Sequence, residues 1–136
     1  MTTMRSVPGV LLLALAALSC GDGGTGPGGN TPLPGALQVT LDTPHADDGA
    51  LLFLVQGAPV TTVSGGAGLT AYAHPVDSLT TRVVVLGAIA DGPLIQLQVP
   101  DVNAVARYTV QFEQAAARDS YAQRTAEGYG LTIAKP

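Results

Sequence analysis

From residue 36 onward the chain alternates apolar and polar residues with a period of two, and clusters of turn residues break the pattern. In Ala36-Leu37-Gln38-Val39-Thr40-Leu41 the alternation is strict: Leu37, Val39 and Leu41 share one face, Gln38 and Thr40 the other. A helix cannot use that spacing, because its apolar stripe recurs at 3.6 residues; a half-buried strand requires it. Leu94-Ile95-Gln96-Leu97-Gln98-Val99 repeats the pattern with Gln96 and Gln98 outward, and Tyr108, Val110 and Phe112 oppose Thr109, Gln111 and Glu113. Leu131 and Ile133 close the series.

Two further runs are apolar on both faces. Leu51-Leu52-Phe53-Leu54-Val55, enclosed by Gly49 and Gly57, and Arg82-Val83-Val84-Val85-Leu86 read as strands inside a packed pair of sheets. Asp91-Gly92, between Ile89 and Leu94, predicts a type I′ hairpin, and Pro93 after it marks an edge or a strand start. Gln114 to Glu127 is rich in alanine and has helical propensity, but it has little to bury; it reads as a loop with one helical turn. Turns at intervals of roughly 8–12 residues point to an all-β fold, a single β-sandwich of about 7–9 strands over residues 36–136.

The segments GALQVTLDTP, DDGALLFLV, TRVVVLGAIADGPLIQLQVPDV and RYTVQFEQAAARD resemble the cohesin-like branch of bacterial extracytoplasmic β-sandwiches. The resemblance covers most of residues 36–134 and implies an immunoglobulin-like or cohesin-like jelly-roll sandwich serving recognition or assembly. No dockerin-contacting residue carries over. Tyr108, after Pro100-Asp101-Val102-Asn103, is placed like an immunoglobulin tyrosine corner or a plain core tyrosine.

The first 19 residues read as an export signal. Arg5 supplies positive charge, and Val10 to Leu18 is an uncharged apolar run, too short for the about 20 residues a bilayer core demands. The run ends at Ser19-Cys20-Gly21, which resembles the lipobox of bacterial lipoproteins, although Ala17 and Leu18 reverse that family's usual order. The resemblance implies that Cys20 is lipidated with palmitate-type acyl chains and anchors the mature chain to the cell envelope. Gly21 in place of aspartate after the cysteine leans to the outer over the inner membrane. Ordinary signal cleavage would instead leave Cys20 a free thiol.

Seven glycines and three prolines occupy residues 21–35, so residues 20–35 form a disordered tether, about 20 Å end to end. Removing the signal takes away Arg5 and leaves five basic against ten acidic residues, no surface for a phosphate backbone; nucleic acid is excluded as a partner. A single cysteine excludes internal disulfides and cysteine-based zinc sites.

Little chemistry is assembled. Asp42-Thr43-Pro44-His45-Ala46-Asp47-Asp48-Gly49 is the one cluster of ionisable groups, and Asp42, His45, Asp47 and Asp48 are candidate metal ligands, with Ca2+ the fitting ion. The spacing is not that of an EF-hand, and a solvated turn accounts for the same residues. His74-Pro75-Val76-Asp77 reads as a second polar loop, which would matter if the two histidines met. Ser64 lacks the G-x-S-x-G elbow, and Gly65, Gly66 and Gly68 lack the lysine of a phosphate loop. Tyr72, Tyr121 and Tyr129 are the aromatics available to stack on a sugar. Gln38, Thr40, Gln96, Gln98, Thr109 and Gln111 offer polar, uncharged strand faces suited to a glycan, an added strand or plain solvent.

These features imply no cofactor and no catalytic residues. They favour a lipid-anchored, non-enzymatic module that recognises a protein, a glycan or another envelope component. The alternative is a small hydrolase or metal-dependent enzyme with a site across the 42–49 and 74–78 loops.

Overall fold

The computed structural model describes residues 31–136. The expected export signal, Cys20 and the expected tether up to residue 30 lie outside the described residues. The strands are β1 (Gly35–Asp42), β2 (Asp48–Gln56), β3 (Thr62–Gly65), β4 (Leu69–Asp77), β5 (Thr80–Ile89), β6 (Gly92–Val99), β7 (Thr109–Ala117), β8 (Gln123–Arg124) and β9 (Gly130–Ala134), with a 3-10 helix at Val102–Arg107 before β7. They form two antiparallel sheets, ordered β3-β6-β1-β9 and β4-β5-β2-β7-β8. The fold is a β-sandwich, as the alternation predicts.

Its core is made from the inward residues of both sheets. Leu37, Val39 and Leu41 of β1 and Ile95, Leu97 and Val99 of β6 meet Leu51, Phe53 and Val55 of β2 and Val83 and Val85 of β5, all buried. Burying such aliphatic and aromatic side chains stabilises the fold by about 1.5–3 kcal/mol each. Leu94 is buried beside Ile95 because the β1–β6 register shifts at that point: Val39 pairs with Ile95 and Thr40 with Pro93, leaving Leu94 as the extra residue of a bulge.

Three expectations are corrected. Asp91-Gly92 does not close a hairpin, since β5 ends in one sheet and β6 begins in the other. A type I′ turn needs positive φ at both residues, and here only Gly92 has it, at 114°. The tight hairpin in this region is instead Asp77-Ser78-Leu79-Thr80 between β4 and β5, where Asp77 Oδ1 accepts the Leu79 N–H at 2.8 Å. His74 to Asp77 is therefore the end of strand β4 rather than a loop.

Gln114 to Ala117 continues β7 rather than leaving the sheet. Between Leu52 and Phe53 the β2–β7 register shifts, so that Phe112 pairs with Phe53 and Gln114 with Leu52. Glu113 is the extra residue, and the change of parity turns Ala115 and Ala117 into the core. The small side chains suit the narrow space beside β2, so tertiary packing overrides their helical propensity.

The sheet connections are pinned by polar contacts. Tyr108, only 5% exposed, donates its O–H to the Pro59 carbonyl at 2.6 Å, tying β7 to the β2–β3 connection. That partner lies 49 residues away in sequence, so the bond is not the local one of a tyrosine corner. Ahead of β1, the Leu33 N–H donates to Asp101 Oδ1 at 3.1 Å and its carbonyl accepts from Val102 N–H at 2.8 Å. Ordered chain thus reaches into the last residues of the Gly/Pro-rich stretch.

Candidate functional site

The loop between β1 and β2 carries the clustered aspartates, and the fold closes it from three sides. Asp48 opens β2 at a register shift and is fully buried, with 0% exposure. Its carboxylate accepts the Thr43 hydroxyl at 2.6 Å, and the Tyr129 hydroxyl lies 2.9 Å from both of its oxygens. Arg124 of β8 places Nη2 at 2.7 Å from Asp47 Oδ1 and Nε at 3.7 Å from Asp48 Oδ1. One guanidinium therefore supplies the positive charge that two adjacent carboxylates need. Its Nε is buried without a hydrogen-bond partner, so the Asp48 contact is purely coulombic.

Thr43 is the hinge of the arrangement. Its N–H donates to Asp91 Oδ1 at 2.6 Å, and its hydroxyl accepts the His45 N–H at 3.1 Å while donating to Asp48. The turn after β7 clasps the loop from the other side, where the Arg118 N–H donates to the Asp47 carbonyl at 2.7 Å. The Tyr129 ring stacks on Phe112 with centroids 4.7 Å apart, and His45 tilts against it at 5.9 Å. Burial, reinforced by the bond to Asp48, pushes the Tyr129 hydroxyl up to about 12. At neutral pH it remains a donor, and it does not serve as a base.

The candidate metal ligands do not converge. Asp48 faces inward to Thr43 and Tyr129, Asp47 is held by Arg124, Asp42 is exposed at the end of β1, and His45 tilts against Tyr129. Among the described residues no group of three or more His, Cys, Asp or Glu side chains could hold a metal ion. An open groove of about 400 Å³ runs beside the loop, lined by Thr43, Pro44, His45, Ala46, Ala90 and Asp91.

The second histidine is remote. His74 pairs with Arg82 and Arg82 with Leu54, six residues along β2 from Asp48, which places the two histidine segments roughly 20 Å apart along the sheet. The fold does not bring the 42–49 and 74–78 segments together. Asp91, Arg124 and Tyr129 complete the cluster from outside the loop, yet no local motif announces them: Tyr129 lies 81 residues from Asp48 in sequence.

The strand faces separate into two kinds. Outside the four-stranded sheet, Gln38 pairs with Gln96 and Thr62 with Gln98, giving a polar, uncharged surface. Thr109 and Gln111, expected to resemble these, belong to the other sheet, opposite Gln56 and Leu54. There the outer face carries an apolar strip, with Tyr72, Val84 and Leu52 in one row and Leu86 and Ala50 in the next, beside a polar row in which Arg82 pairs with Glu113 at 3.0 Å. Tyr72 is 59% exposed and Leu86 42%, while Leu52, Leu54 and Val84 are half-buried. Of the three tyrosines considered for stacking, Tyr72 and Tyr121 are exposed and Tyr129 is committed to Asp48.

Comparison of the chain with protein-family models, with characterised proteins and with solved structures gives no match.

Proposed function

We propose that this chain is an exported, lipid-anchored module whose β-sandwich binds a protein or another component of the cell envelope and catalyses no reaction. The observation that carries the reading is the outer face of the five-stranded sheet. A sheet face meant only for solvent alternates to polar residues, as Gln38, Gln96 and Gln98 do on the opposite sheet. Tyr72, Val84, Leu52, Leu86 and Ala50 instead form a contiguous apolar surface, the kind that marks an interaction site. The polar groups of the Asp42–Gly49 loop are largely spent on one another, which supports a structural role for that loop.

The anchor rests on the sequence: Arg5, the apolar run Val10 to Leu18, and Cys20 at its end, followed by a glycine-rich tether. Two or more acyl chains, at about 0.8 kcal/mol per buried CH2, make such attachment effectively permanent. The outer membrane is favoured by Gly21, and the immunoglobulin-like or cohesin-like sandwich family by the strand pattern.

Cys20→Ala should move the protein from the membrane to the soluble fraction, and its retention in membranes would refute the anchor. The binding reading is tested by immobilising the mature chain and passing envelope extract over it, with and without chelator, with protein and glycan detection. One saturable partner, released by Val84→Glu, supports it. Absence of any partner, or binding indifferent to Val84→Glu, refutes the assignment to this face.

A further inference from the structure

The turn from β7 to β8, Arg118-Asp119-Ser120-Tyr121, holds a tyrosine in a backbone conformation that tyrosine disfavours. The Ala117 N–H donates to the Ala122 carbonyl at 2.9 Å, and the Tyr121 N–H donates to the Ala117 carbonyl at 3.2 Å. Closing the turn this way sets Tyr121 at φ 57°, the only positive φ outside glycine among the described residues. In that region Cβ crowds the following carbonyl oxygen, and glycine or asparagine normally takes the place. Packing does not offset the cost. Tyr121 is 82% exposed, more than any other large apolar side chain described. Strain held on an exposed aromatic ring points to a use for the ring outside the fold.

Tyr121 lines an open depression of about 310 Å³, together with Gly49, Gly87, Ala88, Ala117 and Arg118. Its floor is backbone and methyl groups, and Arg118 is its one charged side chain. The Arg118 guanidinium reaches the Ala46 carbonyl at 3.4 Å and joins none of the ion pairs formed among the described residues. Most of its five N–H donors therefore stay open.

We propose that this depression is a carbohydrate subsite that takes an uncharged pyranose ring of a glycan. A pyranose has a face of C–H groups and a rim of hydroxyls. The C–H face suits the electron-rich face of Tyr121 and the methyl-lined floor, and the hydroxyls accept from Arg118. A purely apolar ligand would strip water from the guanidinium without replacing its hydrogen bonds. An acidic sugar or a phosphate would meet Asp119 beside Arg118 and a chain of net charge −4. The volume is that of a small-molecule site, about 300 Å³ at the lower end of the range. Position adds to this. The described chain enters the sandwich at Gly35 and runs roughly 23 Å along β1 to Asp42, so the depression at the start of β2 and end of β7 lies at the far pole. A chain anchored upstream of Gly35 turns that pole away from the membrane. The subsite goes beyond the sheet-face binding above and does not depend on it.

The test applies the full chain, in a detergent without sugar headgroups, to an array of neutral and uronic-acid oligosaccharides. The native chain should bind neutral pyranose oligosaccharides in preference to the acidic ones. Tyr121→Phe keeps the ring and should bind within about twofold of the native chain, whereas Tyr121→Gly and Arg118→Met should each weaken binding about tenfold. Urea unfolding separates this role from a structural one. Tyr121→Gly relieves the left-handed strain and should raise the urea midpoint at unchanged slope while binding falls. Binding to no oligosaccharide, preference for the acidic ones, native-like binding by Tyr121→Gly, or a lowered midpoint in that variant would overturn the proposal.

Discussion

Replacing Asp48 is the sharpest perturbation the fold offers. Its carboxylate is fully buried and takes hydroxyl hydrogen bonds from Thr43 at 2.6 Å and Tyr129 at 2.9 Å. Hydrogen bonds to a charged group contribute about 1.5–3 kcal/mol each, so two are worth about 3–6 kcal/mol. Removing one member of a buried charge cluster costs about 3–5 kcal/mol by the independent route of leaving its partners stranded. Asp48→Ala strands the Tyr129 hydroxyl and the already unpartnered Arg124 Nε. A loss of about 3–5 kcal/mol is expected, against a total of about 5–15 kcal/mol for a domain of this size. Asp48→Asn keeps an oxygen for both hydroxyls and should cost about half as much. The assay is urea unfolding followed by far-ultraviolet circular dichroism, since the chain has no tryptophan. In a double-mutant cycle, Asp48→Ala and Tyr129→Phe should couple by about 1–3 kcal/mol. A loss under about 1 kcal/mol for Asp48→Ala, or additive effects in the cycle, would refute the reasoning.

Other expectations follow from the same geometry. Tyr108→Phe removes the hydroxyl bonded to Pro59 and should lower stability by about 1 kcal/mol, read as a shift in urea midpoint at unchanged slope. Gly57 has φ of 102°, and a Cβ there would lie 1.8 Å from the Arg107 carbonyl oxygen. Gly57→Ala should cost about 3 kcal/mol or more, or abolish soluble expression. Burial and the Asp48 bond raise the Tyr129 hydroxyl to about 12, so the native state holds that proton more tightly than the unfolded chain. Its contribution is full below about pH 10 and is lost as pH rises toward 12. Urea midpoints at about pH 9 and about pH 11 should therefore diverge more for the native protein than for Tyr129→Phe.

The strands with unbroken alternation were legible because each has one face in the core and the signal is local. Leu37, Val39 and Leu41 are buried, and Leu131 and Ile133 pair with Leu41 and Val39. Bulges hid the rest. The extra residue at Glu113 reverses the parity of β7, so Ala115 to Ala117 no longer continues the pattern begun at Tyr108. Asp91-Gly92 carries a true turn signal, but nothing local tells a hairpin from a corner between sheets. β4 alternates only from Leu69 to Tyr72, and from Ala73 on its open end buries neither face. The aspartate loop was visible as a cluster of charge. Its distant partners were not, since Tyr129 and Arg124 reach Asp48 only through sheet topology, and a metal loop and a self-satisfied one share the same local sequence.

The closed polar loop and the apolar sheet face lie on different parts of the molecule, and a single comparison decides between them. The mature chain, His45→Ala with Asp47→Ala, and Val84→Glu are each immobilised and exposed to the same envelope extract, with retained partner quantified. The loop variant should retain the partner as the native chain does, and Val84→Glu should lose it. Loss in the loop variant with full retention by Val84→Glu would contradict the sheet-face assignment and move the functional site to the groove beside His45.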